Sequence, residues 1–235
     1  MENSINVKKL YIGNIPSLIW GCESPKVYIH VHGKMSRKEF AKDFAVIAES
    51  KGCQTLSFDL PEHGDRADDH EYRCDIWNGV RDLNAIAEYA FKHWKAVCLY
   101  GSSLGAFFSL HAYKNLPLEK CMFQSPIVDM EHLVKKILEK FGITEDDLIK
   151  KGEIMNPIDP LRWDYYQYVK EHPITEWNIP TSILFGGNDW FQSTEIMGSF
   201  ALAHGCNLTV VPGSEHAFMG DGDGEIVRAW YQKEV

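Results

Sequence analysis

Residues 96–113 read AVCLYGSSLGAFFSLHAY: an apolar run stops at two serines, and a second apolar run follows. The first run, AVCLYG, has the length and composition of a buried strand, and the stretch from Ser103 to about Tyr113 reads as a helix. At the junction Gly101, Ser102, Ser103, Leu104 and Gly105 spell G-x-S-x-G. Between a strand and a helix this pattern makes a sharp turn, with glycines on either side of the serine because neighbouring backbone comes too close for a Cβ. The turn would hold the Ser103 hydroxyl out at the carboxyl edge of a sheet, near the positive end of a helix. Five residues alone are a weak signal, since a serine here can also be an ordinary helix N-cap. The strand before it and the helix after it carry the nucleophile reading.

Outward from this turn the same alternation continues in both directions. Upstream, KVYIHVHG (26–33) and QTLSFDLP (54–61) read as buried strands. Helical spacing follows each: positions 40, 44, 47 and 48 within Arg37 to Lys51, then Ile76, Val80, Leu83, Ala87, Phe91 and Trp94 within Asp75 to Trp94. Downstream, KCMFQS (120–125), TSILFGG (181–187) and LTVVPG (208–213) read as further strands, with a helix between the last two and EIVRAWYQ (225–232) as a closing helix. KKLYIGNIPSLIWGC (8–22) offers an antiparallel hairpin around Gly-Asn-Ile-Pro on the sheet edge. The expectation is one α/β domain over 1–235, with about eight mostly parallel strands flanked by helices. Residues 125–180 are far longer than a crossover needs. They hold amphipathic stretches (Met130 to Phe141, Glu145 to Lys151) and an aromatic cluster that includes Trp163, Tyr165, Tyr166, Tyr168 and Trp177. We read this segment as a helical cap over the strand ends, where ligands bind in such sheets, with Trp163 and Tyr166 as substrate-binding walls.

A serine hydroxyl needs a base, and the base needs an orienting acid. Asp189, in GGNDW, lies 86 residues after Ser103, and His216, in GSEHAF, lies 27 residues further on. Both fall in loops after strands. Asp129, just after the KCMFQS strand, is the rival acid. Leu104 N–H, next to the nucleophile, and Lys34 N–H, after His32 and Gly33, are the candidate oxyanion donors. His32 is assigned a bracing role in that loop, and the Lys34 ammonium is assigned to solvent.

The order HGK, DLPEHGDR, GSSLG, GGNDW and GSEHAF resembles the α/β-hydrolase superfamily, in the branch of small serine esterases, monoacylglycerol-lipase-like enzymes and serine aminopeptidases. The resemblance covers nearly the whole chain and implies a cofactor-free acyl hydrolase. DLPEHGDR is similar to the Asp-x-x-Gly-His-Gly loop of that branch, with Glu62 where glycine is usual. The resulting expectation is cleavage of a small-molecule carboxylic ester through an acyl-enzyme. Thioester or amide hydrolysis by the same groups is the alternative, and a non-catalytic binding protein is the rival from another class.

Composition agrees. The 235 residues carry 24 Lys and Arg against 33 Asp and Glu, a net charge of −9, with no basic tract for nucleic acid or an anionic membrane. No apolar run reaches 18 residues, and the amino-terminal stretch lacks the signal-peptide pattern, so a cytoplasmic location is expected. The six cysteines form no Cys-x-x-Cys pair, and His30-Val31-His32 lacks the continuation of a binuclear metal site. GDGDGE (220–225) misses the calcium-loop register and reads as a loop with Asp223 capping the last helix.

Overall fold

The computed structural model describes residues 5–235. The strands are β1 (Val7–Ile12), β2 (Ile15–Trp20), β3 (Lys26–Val31), β4 (Gln54–Phe58), β5 (Ala96–Ser102), β6 (Cys121–Gln124), β7 (Glu153–Ile154), β8 (Leu161–Arg162), β9 (Thr181–Gly186) and β10 (Asn207–Val211). The helices are α1 (Lys42–Ser50), α2 (Ile76–His93), α3 (Ser103–Ala112), α4 (Met130–Lys140), α5 (Glu145–Lys151), α6 (Trp163–Glu171), α7 (Thr194–His204) and α8 (Asp223–Glu234). Eight strands form one sheet in the order β1-β2-β4-β3-β5-β6-β9-β10. Only β2 runs against the rest, pairing antiparallel with both β1 and β4.

Alternation along the central strands splits the core in two, because successive side chains point to opposite faces. Val27, Ile29, Val31, Val97 and Leu99 pack with residues of α2 and α3. Tyr28, Cys98 and Tyr100 pack with Phe44 and Ile47 of α1 and Trp230 and Tyr231 of α8. α2 is capped by Asp75, whose carboxylate accepts from Asn78 N–H at 3.0 Å. α2 and α3 come close at Gly79, where a Cβ would stand 2.5 Å from the Phe108 ring.

Three local expectations need correction. The edge hairpin turns on Gly13 and Asn14 alone, with Ile12 paired to Ile15, so Pro16 lies inside β2 rather than in the turn. The segment after β3 opens as a 3₁₀ turn over Lys38–Ala41, because Asp59 holds both the Lys38 N–H (2.9 Å) and its Nζ (2.6 Å). Asp223 is not the cap of α8, which is Gly222. Its buried carboxylate instead accepts from Ser214 Oγ (2.6 Å) and Gly220 N–H (2.9 Å), tying down the loop after β10.

The long stretch between β6 and β9 contains α4, α5, the two-residue pair β7–β8 and α6. Among the described residues no helix is long and apolar enough to cross a membrane.

The tightest backbone approach lies at the β5–α3 turn. A Cβ on Gly105 would stand 2.3 Å from the His32 carbonyl oxygen and 2.6 Å from that of Val31, and neither can swing aside. Gly105→Ala should therefore cost about 2–3 kcal/mol or more. Denaturant unfolding checks this, and a loss under 1 kcal/mol would contradict the reading.

Candidate active site

The parallel strands end on one side; Ser103 opens α3 directly after β5, and the loops after β3, β9 and β10 carry Lys34, Asp189 and His216. Ser103 has φ +48°, a left-handed conformation that a non-glycine residue rarely adopts, at a cost of roughly 1–2 kcal/mol. That turn lifts the side chain off the sheet, with Oγ 2.7 Å from His216 Nε2. His216 Nδ1 lies 2.6 Å from Asp189 Oδ2. An ionised carboxylate only accepts, so Nδ1 carries the proton and Nε2 is free to accept from the serine hydroxyl.

The Asp189 carboxylate has no exposed surface. Its other oxygen accepts from Phe191 N–H (2.7 Å) and Gln192 N–H (3.2 Å), which supplies the hydrogen bonds that a buried charge requires. The Phe191 ring packs edge-on against His216 at 4.4 Å. Gly186 lets the His216 loop cross β9, since a Cβ there would lie 2.5 Å from the Ser214 carbonyl. The rival Asp129 is exposed and occupied elsewhere, capping α4 by accepting from His132 N–H at 2.8 Å. The structure therefore joins Asp189, and not Asp129, to His216.

Gly33 lies against the serine, its Cβ position being 3.1 Å from Ser103 Cβ. The Gly33–Lys34 peptide thus follows directly on the contact with Ser103, while Leu104 N–H belongs to the first turn of α3, where amides lack helical partners. His32 braces this loop by donating from Nδ1 to the Gly33 carbonyl (2.7 Å) and accepting the Leu60 N–H at Nε2 (3.1 Å). His63, which sequence reading passed over, does the same one step further out. It donates to Pro61 O at 2.7 Å and accepts Met35 N–H at 3.2 Å. Glu62, in the glycine-like position, still takes φ +58°, and its carboxylate accepts Cys74 N–H at 2.7 Å, so the loop keeps a left-handed turn there without glycine. The Lys34 ammonium is not simply solvated but paired with Asp159.

Gln192 was also missed. Its fully buried amide accepts from Val128 and Asp129 N–H and donates to the carbonyls of Asp129 and Phe191. It thereby fastens the Asp189 turn to the entrance of α4. A polar residue three positions after the acid is no signal in itself.

Ser103 and His216 open into a cavity of about 810 Å³, walled by residues of α4 and of the 153–165 segment. Trp163 and Tyr166 do not line it, which corrects the sequence assignment. Leu161, Arg162 and Tyr165 do. Tyr166 lies one helical step round from Tyr165, is fully buried and donates to Glu145 at 2.8 Å. Trp163 packs against the core beside it. Cys74 also lines the cavity, and burial raises its thiol pKa far from the reactive range. No group of three or more His, Cys, Asp or Glu among the described residues is placed to hold a metal.

No family model and no curated protein matches the chain. Solved structures do match over most of their lengths, and they define the class: the chain has the α/β-hydrolase fold. Est1E from Butyrivibrio proteoclasticus, solved with ferulic acid bound, is 18% identical over 96% of each chain, with a TM-score of 0.77. Alpha/beta hydrolase domain-containing protein 10 from mouse is 16% identical over 97% of each chain, TM-score 0.74. The thioesterase domain from the curacin biosynthetic pathway is 12% identical over 97% of this chain and 99% of that one, TM-score 0.60.

Burial holds the His32 ring pKa down to about 4 from its ordinary 6.5. The unfolded chain therefore binds this proton first. The stability due to a neutral His32 is complete above about pH 6.5 and is lost as the pH falls to about 4, a difference of about 3 kcal/mol. An NMR titration should find the His32 ring neutral at pH 5.5, and a midpoint near 6.5 would contradict the bracing role.

Proposed function

We propose that the protein is a serine hydrolase that cleaves a carboxylic ester of a small molecule through an acyl-enzyme intermediate. One observation carries the reading: the unbroken hydrogen-bonded chain from Ser103 through His216 to buried Asp189, opening into a cavity large enough for a substrate. Est1E, with ferulic acid bound, and an esterase from Pyrococcus furiosus share the fold and support an ester substrate.

As Ser103 Oγ attacks the carbonyl carbon, its proton passes to His216 Nε2. Asp189 stabilises the imidazolium that forms. The negative charge on the former carbonyl oxygen is taken by Lys34 N–H and Leu104 N–H, which are fixed in advance and need no reorganisation. The tetrahedral intermediate collapses as His216 returns the proton to the departing alkoxide, leaving Ser103 acylated. Water, deprotonated by His216, then attacks the acyl carbon; the bond to Ser103 Oγ breaks, His216 returns the proton to Oγ, and the carboxylic acid leaves.

A fluorophosphonate probe should label the wild type and fail to label Ser103→Ala. Asp189→Asn should lower kcat roughly 10⁴-fold, because the histidine loses its orienting acceptor. Asp129→Asn should leave kcat within a few-fold and cost at most about 1 kcal/mol of stability as a weakened cap. The reverse outcome for the two aspartates would reassign the acid.

A further inference from the structure

The cavity is built in two unlike halves on either side of Ser103. In the sheet order, the loops after β3 and β4 lie on one side of β5 and the loop after β6 on the other. On the β4 side, ion pairs between the sheet loops and the 153–162 segment, Lys34 with Asp159, Arg73 with Glu153 at 3.1 Å and Asp75 with Arg162 at 3.1 Å, alternate with apolar side chains of that segment such as Met155, Ile158 and Leu161. On the β6 side the wall is α4, which presents Met130, Leu133, Val134 and Ile137. These positions, spaced i, i+3, i+4 and i+7, form one helical stripe.

The start of α4 is anchored near the serine, because Ile127 N–H donates to the Ser103 carbonyl at 3.3 Å and Gln192 holds Val128 and Asp129. The stripe therefore runs away from the reacting atom, with Met130 near and Ile137 far. An acyl chain gains by lying on apolar surface and loses by displacing water from ion pairs, so it follows α4, whose stripe is unbroken, rather than the opposite wall, where ion pairs interrupt the apolar side chains. Seven residues of helix advance about 10 Å, roughly the length of eight extended carbons.

We propose that the substrate is an ester of a straight medium-length acyl chain, of about eight carbons, laid along the α4 stripe with Ile137 as the residue that sets its length. This rests on the ester-hydrolase reading of Ser103 and deepens it. Each methylene up to that length adds about 0.8 kcal/mol of burial, a factor of about four.

The test compares p-nitrophenyl esters from acetate to dodecanoate. For the wild type kcat/KM should climb about fourfold per methylene to octanoate and then level or fall. Ile137→Phe, which fills the far end, should lower the octanoate-to-butyrate ratio of kcat/KM at least tenfold. Ile137→Ala, which opens it, should raise the decanoate-to-octanoate ratio. Fluorophosphonate labelling and a cooperative melt show that each variant is folded and competent. A flat profile, a rise continuing through dodecanoate, or ratios unmoved in both folded variants would overturn the inference while leaving the esterase reading intact. If the wild type hydrolyses none of the series, the esterase reading fails on its own account. The affinities of Ser103→Ala for the same esters then decide the remaining part of the inference, the α4 acyl groove: tightest binding at octanoate upholds that groove, and length-independent binding overturns it.

Discussion

The arrangement depends on one close approach, where the turn after β5 folds back against the end of β3. Gly105 sits where a side chain would strike the His32 carbonyl, and Ser103 takes a left-handed conformation to make the turn. Both features cost free energy locally: glycine inside a helix costs up to about 1 kcal/mol, and the strained serine roughly 1–2 kcal/mol. The surrounding structure offsets these costs because β3 and β5 are paired along six residues and their ends cannot drift apart. The same approach brings the Gly33–Lys34 peptide beside the proposed nucleophile. One constraint thus places the serine and the proposed oxyanion donor together.

A second tier of residues holds that geometry without facing the cavity centre. His32 and His63 each use both ring nitrogens on backbone groups, which requires them to be neutral, and burial keeps His32 so. Asp59, fully buried, gathers the Lys38 N–H and ammonium and the Asp65 N–H, welding the loop after β4 to the segment after β3. Gln192 and Asp223 do comparable work for the loops after β9 and β10. Removing one partner from such a network leaves the others buried and unpaired, which is why these polar side chains matter more than their distance from the chemistry suggests.

The sheet, most helices and the meeting of Ser103, His216 and Asp189 were legible in the sequence because each rests on short-range pattern. Strand alternation, helical periodicity and the glycines of the turn are all written within a few residues of where they act. The separation of Asp189 from Asp129 was legible only as chain order. What decides it is tertiary: one carboxylate is buried with N–H donors around it, the other stands exposed as a helix cap. His63, Gln192 and Asp223 were illegible as positioning groups because their partners are backbone atoms of distant loops. Trp163 and Tyr166 were misread for a related reason. Aromatic content announces a wall, but one helical step of about 100° decides whether Tyr165 or Tyr166 faces the space, and nothing local fixes that rotation.

The 153–162 segment illustrates how charge can close a cavity without making it attractive to ions. Its three pairs with the sheet loops each bring a cation and a carboxylate together, so the wall they make has dipoles but little net field. The partners in two of these pairs are half-exposed, and such contacts contribute at most about 1 kcal/mol each. Arg162 and Asp75 are better shielded, and Asp75 is also the cap of α2, so that contact fastens the segment to a rigid helix. Under the proposed function this half of the cavity supplies hydrogen-bonding groups to the polar part of an ester, while α4 supplies apolar area to the rest. With Ser103 at the junction, selectivity arises from how the bound molecule divides between the two walls, and the reacting groups themselves need not discriminate.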